Sequence, residues 1–334
     1  MDIRKPAGLA LAALFALGLA GCPKPQVDAD ANGGMKPPPP SGQQLQIAVI
    51  PKGTENQFWV SIKAGADAAC AENNSECKVI WDGPNPENDI TAQVNIVNTM
   101  VNNKVNGIVI AACDKTALVA PIKKAMAANI PVVTIDSGIS TDDPVAYIAT
   151  NNIKGGEAAA EELARLMGEK GTAGYLIFGK GQVSSDERQQ GFLDGMKKHP
   201  GIKVLDPLEA SDAGKAFSNV TNMLTGHREI GGIFGASEPN GVAAAAVLDQ
   251  KKLAGKIKLV AFDSSDKEIE ALKSGTIQAL IVQDPFQMGY KGVKTALQAI
   301  RKQPIAEKLV DSGLKVVTKD NLDTPEIQKL LHPQ

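Results

Sequence analysis

The chain has 334 residues, a formal net charge of −2 and no strongly basic segment. This balance excludes the attraction to phosphates on which nucleic-acid binding depends, so we expect no nucleic-acid partner. Beyond the first residues, no apolar stretch approaches the roughly 18 residues that a membrane-spanning helix needs. We therefore expect any contact with a membrane to involve the N-terminus alone.

The first 21 residues have the features of a bacterial leader peptide. Arg4 and Lys5 precede an apolar run, residues 7–20, that has the length of a secretory signal core and is too short to span a membrane well. The run ends in Leu19-Ala20-Gly21-Cys22, which resembles the lipobox where lipoprotein precursors are cleaved and acylated. We predict a signal peptide over residues 1–21 and a lipid on Cys22 that anchors the protein outside the cytoplasm, in the periplasm or an equivalent space. An ordinary signal peptide with a chance cysteine is the alternative.

Residues 22–44 are rich in proline and glycine and include four consecutive prolines, residues 37–40. They contain too few apolar side chains to bury a core. A proline-rich segment stays extended without internal hydrogen bonds, so we predict a tether between the lipid and the folded part. A disordered end without function has the same composition.

Three cysteines follow Cys22. Cys70 and Cys77 flank the turn-forming residues 73–75, and disulfides persist outside the cytoplasm. The sequence leaves open whether these two cysteines are bridged. Cys113 follows an apolar run, and we interpret it as a small buried residue without a chemical role.

Short apolar runs alternate with longer helical patterns from residue 46 onward, which is typical of parallel βαβ units. The predicted strands of the first half are 47–50, 79–81, 107–111, 131–135 and 147–149, with helices near 58–73, 90–102 and 118–128. The predicted strands of the second half are 174–178, 202–205, 232–235, 259–262 and 278–282, and a helix over 155–167 opens this half. We predict an α/β fold with two doubly wound parallel-sheet lobes.

Polar and aromatic residues follow the carboxyl ends of these strands, where open α/β sheets bind ligands. The set comprises Asn56, Phe58, Trp59, Asp136, Asn151, Arg188, Ser237, Asp263 and Gln283. Carboxylates, amides and a guanidinium present acceptors and donors that match the hydroxyl groups of a sugar, and aromatic faces pack on its C–H groups. The pattern predicts binding of a monosaccharide or a related polyol.

Alternative interpretations exist for the aromatic and acidic members of this set. Phe58 and Trp59 are also suited to core packing at a helix start, and adjacent helical side chains point in different directions. Asp136 and Asp263 each stand where a helix should begin, so for either one helix capping is as well supported as ligand binding. Their paired occurrence, one in each half, favours the ligand. Paired carboxylates also occur in glycosidases, but nothing in the sequence holds one protonated, so we expect no enzyme.

Cofactor and metal sites are poorly supported. Residues 179–182 resemble part of a dinucleotide fingerprint, but Ser184 occupies the place of the third glycine. His199, His227 and His332 are scattered away from the strand ends. We expect neither a cofactor nor a metal ion.

Five segments carry a family resemblance. They are 47–50 (IAVI), 56–63 (NQFWVSIK), 129–136 (NIPVVTID), 261–263 (AFD) and 282–285 (VQDP). Through them, the chain from about Leu45 to Asp320 resembles the type I periplasmic sugar-binding proteins of the ribose-binding branch. The resemblance implies a hinge that the chain crosses three times, near Thr150, Gln283 and Asp311. It divides the chain into an N-terminal lobe, residues 45–150 plus 284–311, and a C-terminal lobe, residues 151–283 plus 312–325.

The resemblance also implies roles for the candidate residues. In the first lobe, Asn56 lines the site, Phe58 and Trp59 sandwich the sugar ring, and Asp136 grips its hydroxyl groups. In the second lobe, Arg188, Asp263 and Gln283 close over the ligand. Ser137 stands where the family has arginine, Ala111 and Ser237 where it has asparagine, and Ala213 where it has an aromatic residue. Because lost donors leave buried hydroxyl groups unpaired, we expect another pentose, a hexose, a deoxy sugar or a polyol rather than ribose.

The expected partner is an ABC permease, to which a monomeric binding protein delivers its ligand. Presentation of the ligand to a chemoreceptor or sensor kinase is an alternative, as is a non-sugar ligand such as an autoinducer or a nucleoside. A repressor of related fold would need a DNA-reading module at the N-terminus, where the leader and tether stand.

Overall fold

The computed structural model describes residues 44–72 and 76–333. The predicted leader, the predicted lipid attachment at Cys22 and nearly all of the predicted tether lie outside these residues. The first elements are β1 (Leu45–Ile50), α1 (Gln57–Glu72), β2 (Cys77–Trp81), α2 (Ile90–Asn102), β3 (Gly107–Ile110), α3 (Val119–Ala127), β4 (Val132–Ile135) and β5 (Ala146–Ala149).

The chain continues with a second set of elements. They are α4 (Asn152–Met167), β6 (Gly171–Ile177), α5 (Val183–Met196), β7 (Ile202–Val204), β8 (Leu208–Glu209), α6 (Ala213–Gly226), β9 (Ile230–Gly235), α7 (Glu238–Gln250), β10 (Lys258–Phe262), α8 (Asp266–Ser274), β11 (Ala279–Gln283), α9 (Pro285–Ile300), β12 (Leu309–Asp311), β13 (Leu314–Val317) and α10 (Pro325–Leu331). The α/β fold with two lobes is confirmed. The short elements β8, β12, β13 and α10 were not predicted.

The first sheet is parallel throughout, with strand order β12-β5-β4-β3-β1-β2. Side chains alternate between its two faces, as strand geometry requires. Ile47 and Val49 of β1 pack in a core with α1 and α9, whereas Ala48 and Ile50 pack in a core with α2 and α3. Both faces are therefore covered, which explains the continuous apolar runs in the sequence.

The second sheet has strand order β13-β11-β10-β9-β6-β7, with β8 paired to β6. Helices α4 and α5 cover one face, and α6, α7 and α10 cover the other. The predicted strands of this sheet pair in parallel, and only β13, which was not predicted, runs antiparallel to its neighbour β11 among the described strands. β12 of the first sheet and β11 of the second both end at the cleft between the sheets. Only two residues separate β12 from β13, so β13 begins at the cleft and runs away from it.

The chain passes between the two sheets three times, after β5, after β11 and after β12. The first and third passages are linked, since Thr150 Oγ1 donates to Gly313 O at 3.3 Å and Asn151 N donates to Asp311 Oδ1 at 3.3 Å. Beyond the third passage, Ile327 of α10 is buried in the core of the second sheet. The predicted end of the C-terminal lobe at residue 325 is therefore too early.

The two cysteines at the α1–β2 connection, Cys70 and Cys77, form a disulfide with a Cα–Cα distance of 5.1 Å. Cys113 is a buried free thiol, and burial raises its pKa to about 12. Within the residues that the structure describes, no helix is both long and apolar enough to cross a bilayer.

Each lobe contains a pair of helices that cross at very short range. A Cβ atom added to Gly65 of α1 would lie 2.0 Å from Phe286 O of α9. In the second lobe, a Cβ atom on Gly156 of α4 would lie 2.2 Å from Arg188 O of α5. Glycine at these two positions lets the helix backbones touch. The α4–α5 crossing thereby fixes the backbone position of Arg188.

We expect Gly156→Ala to lower the free energy of unfolding by about 1–3 kcal/mol, because the added methyl group must push α4 and α5 apart. Urea denaturation followed by circular dichroism measures this change. The matched control is Gly226→Ala at the end of α6, where a Cβ atom meets nothing within 4 Å. Equal losses of stability in both variants would contradict the proposed close crossing.

Candidate ligand-binding site

A cavity lies between the carboxyl ends of the two sheets. Its lining comprises Lys52, Asn56, Phe58, Trp59, Glu87, Asp136, Phe178, Gln182, Ser184, Ser185, Arg188, Ala236, Ser237, Glu238, Pro239, Asp263 and Gln283. The structure thus brings together eight of the nine residues selected from the strand ends, including Asp136 from one lobe and Arg188 from the other.

Asn151 is the ninth residue, and the structure places it outside the cavity. Its side chain is the N-cap of α4 and accepts a hydrogen bond from Lys154 N at 3.1 Å. Asparagine is favoured at this position because its oxygen pairs with an otherwise unpaired helix N–H. The choice of Asn151 as a ligand-binding residue was therefore wrong.

Asp136 and Asp263 occupy equivalent positions, one residue beyond β4 and β10. Both have left-handed backbone conformations, with φ of 54° and 85°, which aspartate tolerates better than most residues. Neither begins the helix that follows it in the chain, since α4 is capped by Asn151 and α8 by Ser265. The capping alternative is therefore wrong for those helices. Asp263 instead accepts from Glu238 N of α7 at 2.9 Å and from Gln283 Nε2 at 2.6 Å.

Lys52 is a site residue that sequence reasoning missed. Its Nζ atom lies 2.8 Å from Asp136 Oδ2, and the Lys52 and Asp136 side chains are only 7% and 3% exposed. Two further acceptors come from the second lobe, Gln182 Oε1 at 3.1 Å and Ser184 Oγ at 3.3 Å. A buried ion pair needs such additional hydrogen bonds, since its desolvation cost is large. Lys52 stands two residues after β1, where the same strand-end rule would have found it.

Arg188 is held in position by the second lobe. Its Nε donates to Asn152 Oδ1 at 2.8 Å, Nη1 donates to Ala236 O at 2.9 Å, and the guanidinium stacks 3.7 Å above the Phe262 ring centre. A guanidinium has five N–H donors, so these contacts fix its plane and leave donors for a ligand.

The two adjacent aromatic residues do not form a sandwich. The ring centres of Phe58 and Trp59 are 4.9 Å apart and their planes are 86° from parallel, which leaves no room for a sugar ring between them. Trp59 is almost fully buried in the first-lobe core, and its Nε1 donates to Glu87 Oε1 at 3.0 Å. The implied sandwich was therefore wrong for this pair. The second lobe contributes its own aromatic side chain, Phe178, which follows β6 directly.

Two glutamates complete the acidic lining, one from each lobe. Glu87 lies in the loop between β2 and α2 and also accepts from Asn56 Nδ2, while Glu238 is the first residue of α7. Burial raises the pKa of Glu87 to about 7, opposed by the Trp59 hydrogen bond. Burial, with the nearby Asp263 charge, raises the pKa of Glu238 to about 7. Glu238 is adjacent to the predicted Ser237, whereas no pattern in the loop sequence pointed to Glu87.

Besides Asp136 Oδ2, which is ion-paired with Lys52, two buried polar atoms of the lining have no hydrogen-bond partner among the described residues. They are Ser237 Oγ and Gln283 Oε1. Leaving a buried polar group unpaired costs roughly 1–3 kcal/mol. Both atoms therefore have hydrogen-bonding capacity that a polar molecule in the cavity would satisfy.

The two lobes also contact each other at the rim of the cavity. Lys115 Nζ of the first lobe lies 2.6 Å from Asp186 Oδ2 of the second. Phe58 N donates to Glu238 Oε2 at 3.3 Å, and Asp266 N donates to Gln57 Oε1 at 3.0 Å. Since these contacts join the lobes directly, the structure shows a closed cleft.

Comparison with known protein families gives a match over most of the chain. The family described as "Periplasmic binding protein domain" matches residues 47–304. The ribose import binding protein of Escherichia coli (strain K12) is 28% identical over 276 residues, which cover 82% of this chain and 90% of that protein.

Solved structures with the same fold match nearly the whole described chain. An ABC transporter solute binding protein from Agrobacterium vitis with bound D-fucose has a TM-score of 0.83 and 36% identity, covering 86% of this chain and 100% of that one. A carbohydrate transporter solute binding protein from Agrobacterium radiobacter in complex with D-arabinose has a TM-score of 0.84 and 33% identity, covering 87% and 100%.

The raised pKa of Glu87 predicts a pH-dependent stability. The ordinary pKa of a glutamate is 4.5, and that of Glu87 in the folded protein is about 7. At pH values between these two, Glu87 binds its proton more strongly in the folded protein than in the unfolded chain. Glu87 therefore lowers the free energy of unfolding progressively as pH rises through this window. We expect Glu87→Gln to reduce the fall in melting temperature between pH 5 and pH 7.5, measured by calorimetry on the sugar-free protein. Glu270→Gln, on the exposed face of α8, is the control. A wild-type slope in both variants would refute the assignment.

Proposed function

Because this chain belongs to the periplasmic binding protein domain family, we propose that it captures a neutral monosaccharide between its lobes and delivers it to an ABC importer. The family places its members outside the cytoplasm and consists of solute-binding proteins. We propose further that the sugar is bound and released without chemical change.

The observation that carries the proposal is the unpaired polar lining of a cavity closed from both sides. Ser237 Oγ and Gln283 Oε1 lack partners among the described residues, and both residues line the cavity together with Asp263. A sugar hydroxyl donates one hydrogen bond and accepts others, so it suits a hydroxyl, an amide oxygen and a carboxylate at once.

The charges of the lining favour a neutral ligand. Four carboxyl groups, those of Glu87, Asp136, Glu238 and Asp263, face two cationic groups. One of the cations, Lys52, is already paired with Asp136. An anionic sugar would therefore meet more carboxyl groups than unpaired cations. Like charges at close range in a buried site repel strongly. The bound sugars named for the two solved relatives, D-fucose and D-arabinose, are uncharged.

The N-terminal features complete the proposal. The lipobox sequence ending at Cys22 and the proline-rich residues that follow it support a lipid-anchored protein on a tether. Tethering near a membrane raises the effective concentration of the binding protein beside its permease. We propose that the protein acts there as a monomer.

A thermal-shift screen against neutral pentoses, hexoses, 6-deoxyhexoses and polyols tests the function. A sugar present at 100 times its dissociation constant should stabilise the protein by about 2.7 kcal/mol. The matched uronic acid of any hexose that binds should bind at least about tenfold more weakly, which corresponds to roughly 1.4 kcal/mol of charge repulsion. Stabilisation by uronic acids alone, or by no member of the panel, would overturn the proposal.

Ser237→Ala separates a ligand-binding role from a structural one. Because the Ser237 hydroxyl has no partner among the described residues, its removal should not lower the stability of the sugar-free protein and should raise it by up to roughly 1–3 kcal/mol. Sugar affinity should fall roughly fivefold, the value of one hydrogen bond of about 1 kcal/mol. Calorimetric titration measures the affinity. Thr221→Val on α6 removes another buried unpaired hydroxyl, outside the cavity lining, and should bind like wild type. Equal binding by both variants would exclude Ser237 from the site.

A further inference from the structure

The environment of Lys52 differs from that of the other polar residues in the cavity. An ammonium group has three N–H donors, and Lys52 Nζ has three acceptors within hydrogen-bonding range, on Asp136, Gln182 and Ser184. The protein itself thus supplies Lys52 with an ion pair to Asp136 and hydrogen bonds to Gln182 and Ser184. Ligand hydroxyl groups are left to the carboxylates, Ser237, Gln283 and Arg188.

The three acceptors come from both sides of the cleft. Asp136 follows β4 in the first sheet, whereas Gln182 and Ser184 stand at the start of α5, which packs on the second sheet. Lys52 itself follows β1 of the first sheet. Both of its hydrogen bonds, to Gln182 and Ser184, therefore exist only while the lobes are together.

The surroundings of Lys52 hold it in this bridging position. Its backbone oxygen accepts from Asn88 N at 2.9 Å. The ammonium lies 5.6 Å from the Trp59 ring centre and 5.9 Å from that of Phe178, one ring from each lobe, which is within the range of cation–π attraction.

The second lobe is adapted to this contact. Gln182 is the N-cap residue of α5, but its side chain makes no capping hydrogen bond, and its oxygen accepts from Lys52 instead. Gln182 is 1% exposed, so in the closed protein Lys52 is the partner that satisfies this buried oxygen.

We propose that Lys52 is a positioning residue that couples the sugar-gripping carboxylate Asp136 to closure of the cleft, without contacting the sugar. The inference rests on the proposed function. In the closed form, the ion pair with Lys52 holds the Asp136 carboxylate in place, and the carboxylate can still accept from a hydroxyl group. When the lobes separate, the ammonium loses Gln182 and Ser184, and the carboxylate loses the rigid partner that orients it. Ligand binding at Asp136 and lobe closure thus stabilise each other.

The test compares Lys52→Met and Gln182→Met by stopped-flow binding kinetics, with D-fucose as the first probe and D-arabinose and D-ribose next. A sugar first meets the open cleft, so the association rate constant should change by less than about threefold. The dissociation rate constant should rise about tenfold or more for Lys52→Met, which removes charge-assisted hydrogen bonds, and less for Gln182→Met. The double variant should dissociate like Lys52→Met alone, since Gln182 acts through Lys52.

Lys115→Met is the matched control, because Lys115 also forms an ion pair across the cleft but is about two-fifths exposed and contacts Asp186 rather than Asp136. Its dissociation rate constant should rise at most about threefold, and its effect should multiply with that of Lys52→Met. Multiplying effects of Lys52→Met and Gln182→Met would overturn the inference, as would wild-type dissociation in Gln182→Met. If the wild-type protein binds no sugar of the neutral panel, the proposed function fails and the inference fails with it.

Discussion

A buried charged side chain is stable only when it is paired, and this constraint organises the space between the two sheets. Asp136, Lys52, Arg188 and Asp263 are all less than a tenth exposed. Taking such groups out of water costs several kcal/mol each unless partners compensate. For Lys52 and Asp136, full compensation requires both lobes, since the lysine takes acceptors from each. Closure of the cleft therefore depends on the pairing of buried charges as well as on the movement of the lobes.

The same constraint explains why the polar groups of the lining need hydrogen-bond partners from a ligand. Arg188 and Asp263 are fixed by protein contacts and yet retain hydrogen-bonding capacity, and Ser237 and Gln283 present atoms without partners among the described residues. Parallel sheets place these groups together because the carboxyl ends of their strands meet at one edge. The close helix crossing at Gly156 then fixes the backbone of Arg188. Fold, electrostatics and binding thus depend on the same few strand ends.

The sequence was informative where one local rule decides the outcome. Three- to five-residue apolar runs predicted the buried parallel strands, and the residue after each run predicted Asp136 and Asp263. The rule failed for Asn151, because asparagine after a strand also suits a helix cap, and only the packing of α4 decides between the two roles. The ring sandwich failed because the relative orientation of Phe58 and Trp59 depends on how α1 packs in its core. Glu87 was not selected because it lies in an irregular loop. β13 was not predicted because its direction follows from the third passage between the lobes.

The most direct test of the account is a crystal structure of the protein with a bound neutral sugar. The account predicts one sugar ring between the sheets, with hydroxyl groups within hydrogen-bonding distance of Asp136 in the first lobe and of Arg188 and Asp263 in the second. A sugar that contacts a single lobe, or that binds outside the space between Asp136 and Arg188, would contradict it.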